Sequence, residues 1–116
     1  MRTDHKRLQD ILEAIEKIQG SIPEHREDFD ENEMLQVWFI HHLQIIGEAA
    51  NRLSDTTRDQ APAIPWEQII GMRNILIHAY FGVNLDTVWA TVINFIPDLK
   101  EKMIRLMATD DQNLER

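Results

Sequence analysis

No cysteine occurs among the 116 residues, which excludes disulfides, thiolate zinc sites, iron–sulfur clusters and a cysteine nucleophile. Glycine and proline number only four each, so the chain is neither collagen-like nor a low-complexity tract. No apolar run approaches the roughly 20 residues of a membrane-spanning helix. The stretch Met1 to Arg7 is charged and lacks the apolar core of a signal peptide. A soluble, cytoplasmic protein without membrane contact is therefore expected. Positive charge is scarce as well: twelve Lys and Arg stand against twenty Asp and Glu, a formal net charge of −8. That balance disfavours a general electrostatic grip on nucleic-acid phosphates, so any such contact must come from a local site.

What is present is a folded-domain composition, 43% hydrophobic, arranged with helical spacing. Leu8, Ile11, Leu12, Ile15 and Ile18 recur at intervals of three and four, one stripe of a helix over residues 4–19. Thr3 or Asp4 is placed to cap it and Gly20 to stop it. The acidic segment Glu24 to Glu31 surrounds the single aromatic Phe29 and reads as a loop, with Asp30 as the N-cap of the second helix. From Glu31 to Leu53 no proline intervenes, and Leu35, Trp38, Ile45, Ile46, Ala49 and Leu53 keep a helical rhythm. Pro62 and Pro65 break the pattern, and Pro65 suits the first turn of a third helix reaching Ala79. After Gly82, Asn84 can cap a fourth helix whose apolar positions run from Leu85 to Leu106, with Pro97 expected to kink or divide it. No strand-like alternation or internal repeat is present. The expectation is a single all-α domain over residues 1–107, an antiparallel four- to five-helix bundle, with 108–116 as a frayed tail.

Chemistry concentrates in Gly71-Met72-Arg73-Asn74-Ile75-Leu76-Ile77-His78-Ala79-Tyr80-Phe81. At about 100° per residue, Asn74 and His78 share one helical face, Arg73 and Tyr80 another, and Arg73 and His78 diverge by about 140°. Arg73 and His78 can act together if the Arg side chain wraps around, the helix end deforms, or two protomers combine their copies. Read functionally, the cluster suits a metal-free phosphodiester cleavage site. His78 would exchange a proton with an RNA 2′-OH or leaving oxygen, Arg73 would hold the phosphate, and Asn74 would orient the imidazole or phosphate. Structurally, the same residues could be hydrogen-bonded surface or interface groups, and Tyr80 a half-buried aromatic cap.

The run Arg73-Asn74-x-Leu76-x-His78-x-Tyr80 matches an R-x4-H-x-Y signature and lies between Ile64-Pro65-Trp66 and Val88-Trp89. With Asp10-Ile11-Leu12-Glu13-Ala14-Ile15 and Leu43-Gln44-Ile45-Ile46-Gly47-Glu48-Ala49-Ala50, it resembles the HepT-like toxins of the HEPN superfamily over most of residues 7–99. The resemblance implies a HEPN-like helical bundle that dimerises so that two signatures face one cleft. It implies a ribonuclease with Arg73 and His78 as catalytic residues and Asn74 as their polar neighbour. It also implies a toxin–antitoxin system, whose MNT-type nucleotidyltransferase antitoxin transfers AMP onto Tyr80. A bulky anionic adduct beside Arg73 would occupy the phosphate subsite and repel RNA. The acidity of the chain points to a narrow substrate, such as a transfer RNA end or an mRNA, or to a protein-binding role.

Other candidates are thinner. His41, Gln44 and Glu48 share a helical face, but neither HExxH nor ExxH is present, so a solvated or interface stripe is expected, with no metal and no cofactor. Glu48 could be a buried acid supporting Arg73 or His78, or a plain surface residue. Trp38, Trp66 and Trp89 read as core or interface packing. The expected function is a homodimeric, metal-independent endoribonuclease toxin. The alternative is a non-catalytic helical binding subunit of a nucleotidyltransferase complex.

Overall fold

The computed structural model describes the backbone of residues 2–79 and 84–114 and the side chains of 3–72 and 84–111. Its elements in chain order are α1 (Arg2–Gln19), α2 (Arg26–Asp30), α3 (Glu33–Arg52), α4 (Asp55–Asp59), α5 (Trp66–Ala79), α6 (Leu85–Ala90), a π-helical turn (Thr91–Phe95) and α7 (Ile96–Leu114). No strand occurs among the described residues. The protein is an all-α bundle, as its apolar spacing requires.

The bundle is built around α3. Phe39, Ile40, Leu43, Ile46, Ala49 and Ala50 of this helix are all buried, more than one narrow stripe can hold, so it needs cover on several sides. α1, α2, α5 and α6 all pack on it. α1 offers Leu8, Ile11, Ala14, Ile15 and Ile18, all but closed to solvent. α7 covers α1 in turn with Ile96, Leu99, Met103 and Leu106, which alternate at intervals of three and four.

Polar contacts at the helix ends show how these elements run. At one end of α1, Asp4 meets Ser54 just beyond α3; at the other, the Trp38 indole Nε1 donates to the Lys17 carbonyl at 3.2 Å. α1 and α3 are therefore antiparallel. Against α7, His5 Nδ1 lies 2.9 Å from an Asp110 carboxylate oxygen, while Lys100 Nζ donates to Gln19 Oε1 at 3.1 Å. That pair is antiparallel too.

Several expectations are corrected. Asp4 caps nothing in its own helix, because α1 begins two residues earlier. Its carboxylate instead accepts from the Ser54 N–H at 3.1 Å, the Ser54 hydroxyl and the Thr57 hydroxyl at 2.6 Å. The acidic segment expected as a loop contains α2. Its lone apolar residue, Phe29, is fully buried between Phe39 and Trp89, with ring centroids 5.7 and 5.2 Å away. One aromatic anchor in a five-residue helix leaves no periodicity for the sequence to display.

Asp30 ends α2, so the N-cap of α3 is Asn32, whose Oδ1 accepts from Leu35 N at 3.1 Å. Gln36 reaches back to the Phe29 and Asp30 carbonyls at 3.0 and 3.1 Å, supplying partners for the orphan acceptors at the end of α2. The short α4 was not expected; Ser54 caps it by accepting from Thr57 N. Pro65 stands one residue before α5 and its carbonyl accepts from Ile69 N. Asn84 caps α6 as expected, accepting from Thr87 N at 3.1 Å.

The stretch expected to be kinked or divided at Pro97 is divided into α6 and α7 by the π-helical turn that ends two residues before it. A proline ring collides with the carbonyl four residues back, here Ile93, which lies inside the π-turn. The wider turn absorbs the collision, and Pro97 falls in the first turn of α7, where its missing N–H is tolerated. The segment expected to fray after Met107 continues α7, and Asp110 is only 4% exposed. The sequence there lacks an apolar stripe because the contact with His5 is polar.

These contacts have measurable consequences for stability. Burial pushes the Asp4 carboxyl up, but the hydrogen bonds from Ser54 and Thr57 outweigh it and hold its pKa below the ordinary value. A pKa lowered on folding stabilises the fold above the unfolded pKa, and that stability is lost as pH falls through the folded one. In urea denaturation Asp4→Ala is expected to cost about 2 kcal/mol near pH 7, and its gap from wild type to narrow as pH drops below about 4. Asn32→Ala should cost about 1 kcal/mol, whereas Asp30→Ala should leave the α3 cap intact, which the same denaturation curves would reveal.

Candidate functional site

Arg73, Asn74 and His78, the residues singled out for chemistry, belong to α5. Its N-terminal half is held from both sides. Ile69 and Met72 are buried in the core, and the helix packs on α3. Trp66, half-buried, donates its indole N–H to the carbonyls of Arg58 and Ala61, both at 3.1 Å. Lys102 of α7 donates to the Ala63 carbonyl at 3.3 Å, fastening the approach to the helix. The start of α5 is thus tied to α4, to the Pro-containing connection and to α7.

From this fixed start the α5 backbone continues without interruption through positions 73, 74 and 78 to Ala79. Arg73, Asn74 and His78 therefore share one continuous helix, and the turn of about 100° per residue relates their backbone positions. Their side chains, and Tyr80 altogether, lie outside the described residues.

Gly71 is the unusual residue in the described half of α5. Glycine in a helix interior costs about 1 kcal/mol relative to alanine. A Cβ built on Gly71 would meet nothing within 4 Å, so packing among the described residues does not demand glycine there. The sequence carried this signal, a glycine three positions before Asn74, but spacing arguments about apolar and ionisable groups do not detect it.

The remaining candidates separate clearly. Glu48, read as either a buried acid or a surface one, is exposed on α3, beside a small depression shared with Arg7, Asp10 and Arg52. The depression lies on the α1 side of α3; any relation of Glu48 to Arg73 or His78 falls outside the described residues. His41 is exposed, whereas His42 is buried, with Nδ1 2.8 Å from the Trp38 carbonyl. Both border a cleft of about 260 Å³ between α1 and α3 that also includes Asp10, Glu13 and Lys17. Trp89 is half-buried against Phe29, and Trp38 is 40% exposed over the end of α1.

A second cleft, of about 290 Å³, opens between α5 and the α6–π segment. Gln68 and Met72 line it from α5, with Val88, Thr91, Asn94 and Phe95 opposite. Phe29 sets this wall, since Trp89 of α6 packs on its ring, and Arg26 forms an ion pair with Asp86 at the start of α6. Sequence reading missed the cleft because Gln68, Asn94 and Phe95 belong to no motif and converge only in three dimensions.

Comparison with known proteins places these features in context. A family profile described as "Ribonuclease HepT-like" matches residues 11–106. A Thermococcus cleftensis protein named "Probable ribonuclease HepT" is 43% identical over 108 residues, covering 91% of this chain and 98% of the relative. A "Putative RNase" of Caldanaerobacter subterraneus subsp. tengcongensis is 36% identical over 111 residues, covering 92% of this chain and 96% of its own. A Methanocaldococcus jannaschii "Gamma-glutamylcyclotransferase and putative RNase" is 41% identical over 115 residues, which are 97% of this chain and 52% of that longer protein. No solved structure gives a significant match.

The anchoring of α5 can be tested without any activity. Trp66→Phe keeps an aromatic ring but removes the donor to two carbonyls, and should cost about 1 kcal/mol in thermal or urea unfolding. Unchanged stability would mean that the indole N–H does not hold the helix start.

Proposed function

The chain belongs to the HepT-like ribonuclease family, and from that membership and the placement of Arg73, Asn74 and His78 on one uninterrupted helix we propose a metal-independent endoribonuclease. The observation that carries this reading is the R-x4-H-x-Y run itself, Arg73 to Tyr80, within a chain that matches the family along most of its length. Arginine keeps its charge and offers a planar fork of donors to a phosphate, so Arg73 binds the scissile group and the charge that grows on it. Histidine titrates near neutrality, so His78 takes the proton from the attacking hydroxyl or delivers one to the leaving oxygen. Asn74 orients one of these groups. No step in this scheme needs a metal ion.

On an ideal helix Arg73 and His78 diverge by about 140°, so the proposed site is completed across a homodimer in which two motif helices face each other. The biological setting we propose is a cytoplasmic toxin–antitoxin pair. The toxin cleaves RNA, a transfer RNA or mRNA, and an MNT-type nucleotidyltransferase silences it by transferring AMP to Tyr80. In that transfer the Tyr80 phenolic oxygen attacks the α-phosphorus of ATP, pyrophosphate leaves with the bonding electrons, and the phenolic proton passes to a base. The adduct then blocks the phosphate subsite by charge and bulk.

One observation favours a second reading. A net charge of −8 weakens nonspecific attraction for RNA and suits a binding subunit that presents a substrate to a nucleotidyltransferase.

The unmodified protein should cleave RNA in the presence of EDTA, and Arg73→Ala or His78→Ala should lower the rate at least about 100-fold. Co-expression with the nucleotidyltransferase should add one or more AMP units to Tyr80, read as intact mass, and abolish cleavage. Intact RNA with wild-type protein, and AMP transfer to a third molecule that is indifferent to Tyr80→Phe, would establish the binding-subunit reading instead.

A further inference from the structure

The cleft between α5 and the α6–π segment differs from the α1–α3 cleft and the groove beside Ala63. This chain carries twenty acidic residues, yet among the described residues none that lines this cleft is ionisable. The α1–α3 cleft holds Asp10, Glu13 and Lys17, and the groove beside Ala63 holds Lys102 and Arg105. Two primary amides border this cleft, Gln68 from α5 and Asn94 from the π-turn, and both residues are exposed. Among the described residues neither amide has a hydrogen-bond partner, so both keep a donor and an acceptor to offer. Phe95, half-buried, forms part of the wall, and Met72 and Val88 are buried beneath it.

A slot whose described lining is apolar and neutral, bordered by amides, matches a nucleobase, which has an aromatic face and an edge of alternating donors and acceptors. Its volume, about 290 Å³, lies at the low end for small-molecule sites and suits one ring system. π-turns recur at functional sites, and this one contributes Thr91, Asn94 and Phe95 to the wall.

The cleft is also continuous with the motif helix. Gln68, Gly71, Asn74 and His78 follow at intervals of three, three and four on α5; on an ideal helix Gly71 and His78 are turned about 60° and 80° from Gln68, and Asn74 about 120° to the same side. Met72 and His78 are about 9 Å apart along the axis, the length of about two to three nucleotides at a stacked spacing near 3.4 Å. Midway around the helix between Gln68 and Asn74 stands Gly71, where packing among the described residues leaves room for a side chain. A glycine of this kind permits close approach by a ligand backbone.

We propose that this cleft is a specificity subsite for one unstacked RNA base, held against Phe95 and read by the Gln68 and Asn94 amides, with the strand passing over Gly71 toward Asn74 and His78. The proposal rests on the ribonuclease reading and assigns that reading a means of choosing its RNA. For an acidic protein, recognition through neutral contacts to a base replaces the phosphate attraction that its charge denies.

The test uses the full chain with two readouts. Cleavage of oligoribonucleotides randomised around the cut gives the base preference. Anisotropy with uncleavable 2′-O-methyl oligonucleotides gives binding independently of catalysis. Gln68→Ala and Asn94→Ala, both at exposed positions, should flatten the preference at one nucleotide and weaken binding of the preferred base about tenfold, the weight of one bidentate contact. Gly71→Ala should melt at the same or a higher temperature yet bind the oligonucleotide more weakly.

An unaltered base preference in both amide variants, with cleavage intact, would overturn the subsite and leave the ribonuclease reading standing. Wild-type protein that neither cleaves nor binds RNA would remove both. If Gly71→Ala alters the sedimentation coefficient and leaves base preference untouched, the close approach at Gly71 is to a second copy, and the RNA path is wrong.

Discussion

The constraint on which this fold depends is the burial of α3. A helix with Phe39, Ile40, Leu43, Ile46, Ala49 and Ala50 all withdrawn from water cannot lie on a surface, because each exposed large side chain would forfeit about 1.5 to 3 kcal/mol. The other elements serve as its cover. α1 lies antiparallel along one flank, α5 along another, and the short α2 and α6 close what remains. α7 joins indirectly, covering the outer side of α1.

Cover alone does not set register; the polar contacts at the helix ends do. The Asp4 carboxylate, the Ser54 cap and Thr57 tie the start of α1 to the turn after α3. A charged acceptor satisfied by three donors at a buried point tolerates little sliding, because any shift leaves a desolvated group unpaired. His5 with Asp110 does the corresponding work between α1 and α7. Phe29 acts in the same way by packing: one fully buried ring fixes α2 and, through Trp89, positions α6.

These fixed points bear on the proposed chemistry because α5 inherits its position from them. Trp66 and Lys102 hold its beginning, Ile69 and Met72 bury one side, and the rest of the helix projects the Arg73, Asn74 and His78 backbone from a rigid base. A site on a packed helix is more exact than one on a loop. The next helical stretch contributes as well: the π-turn before Pro97 supplies Thr91, Asn94 and Phe95 to the wall that faces α5 across the second cleft.

Much of this was legible in the residues themselves. Apolar stripes announced α1, α3 and the α6–α7 stretch, because a 3.6-residue period is a local property of the chain, and Pro65 marked the approach to α5. The reactive types were legible for the same reason, since Arg73, Asn74, His78 and Tyr80 fall within eight consecutive positions. Local spacing could not reveal α2 and α4, each held by a single buried side chain, or the change of role of Asp4, whose partners lie 50 and 53 positions away. Nor could it decide that Glu48 is exposed, that Asn32 and not Asp30 caps α3, or that Gln68, Asn94 and Phe95 meet across a cleft. By itself the sequence determined helix content, family and chemical inventory. The tertiary structure alone decided which side chains meet, because those contacts depend on long-range packing around α3.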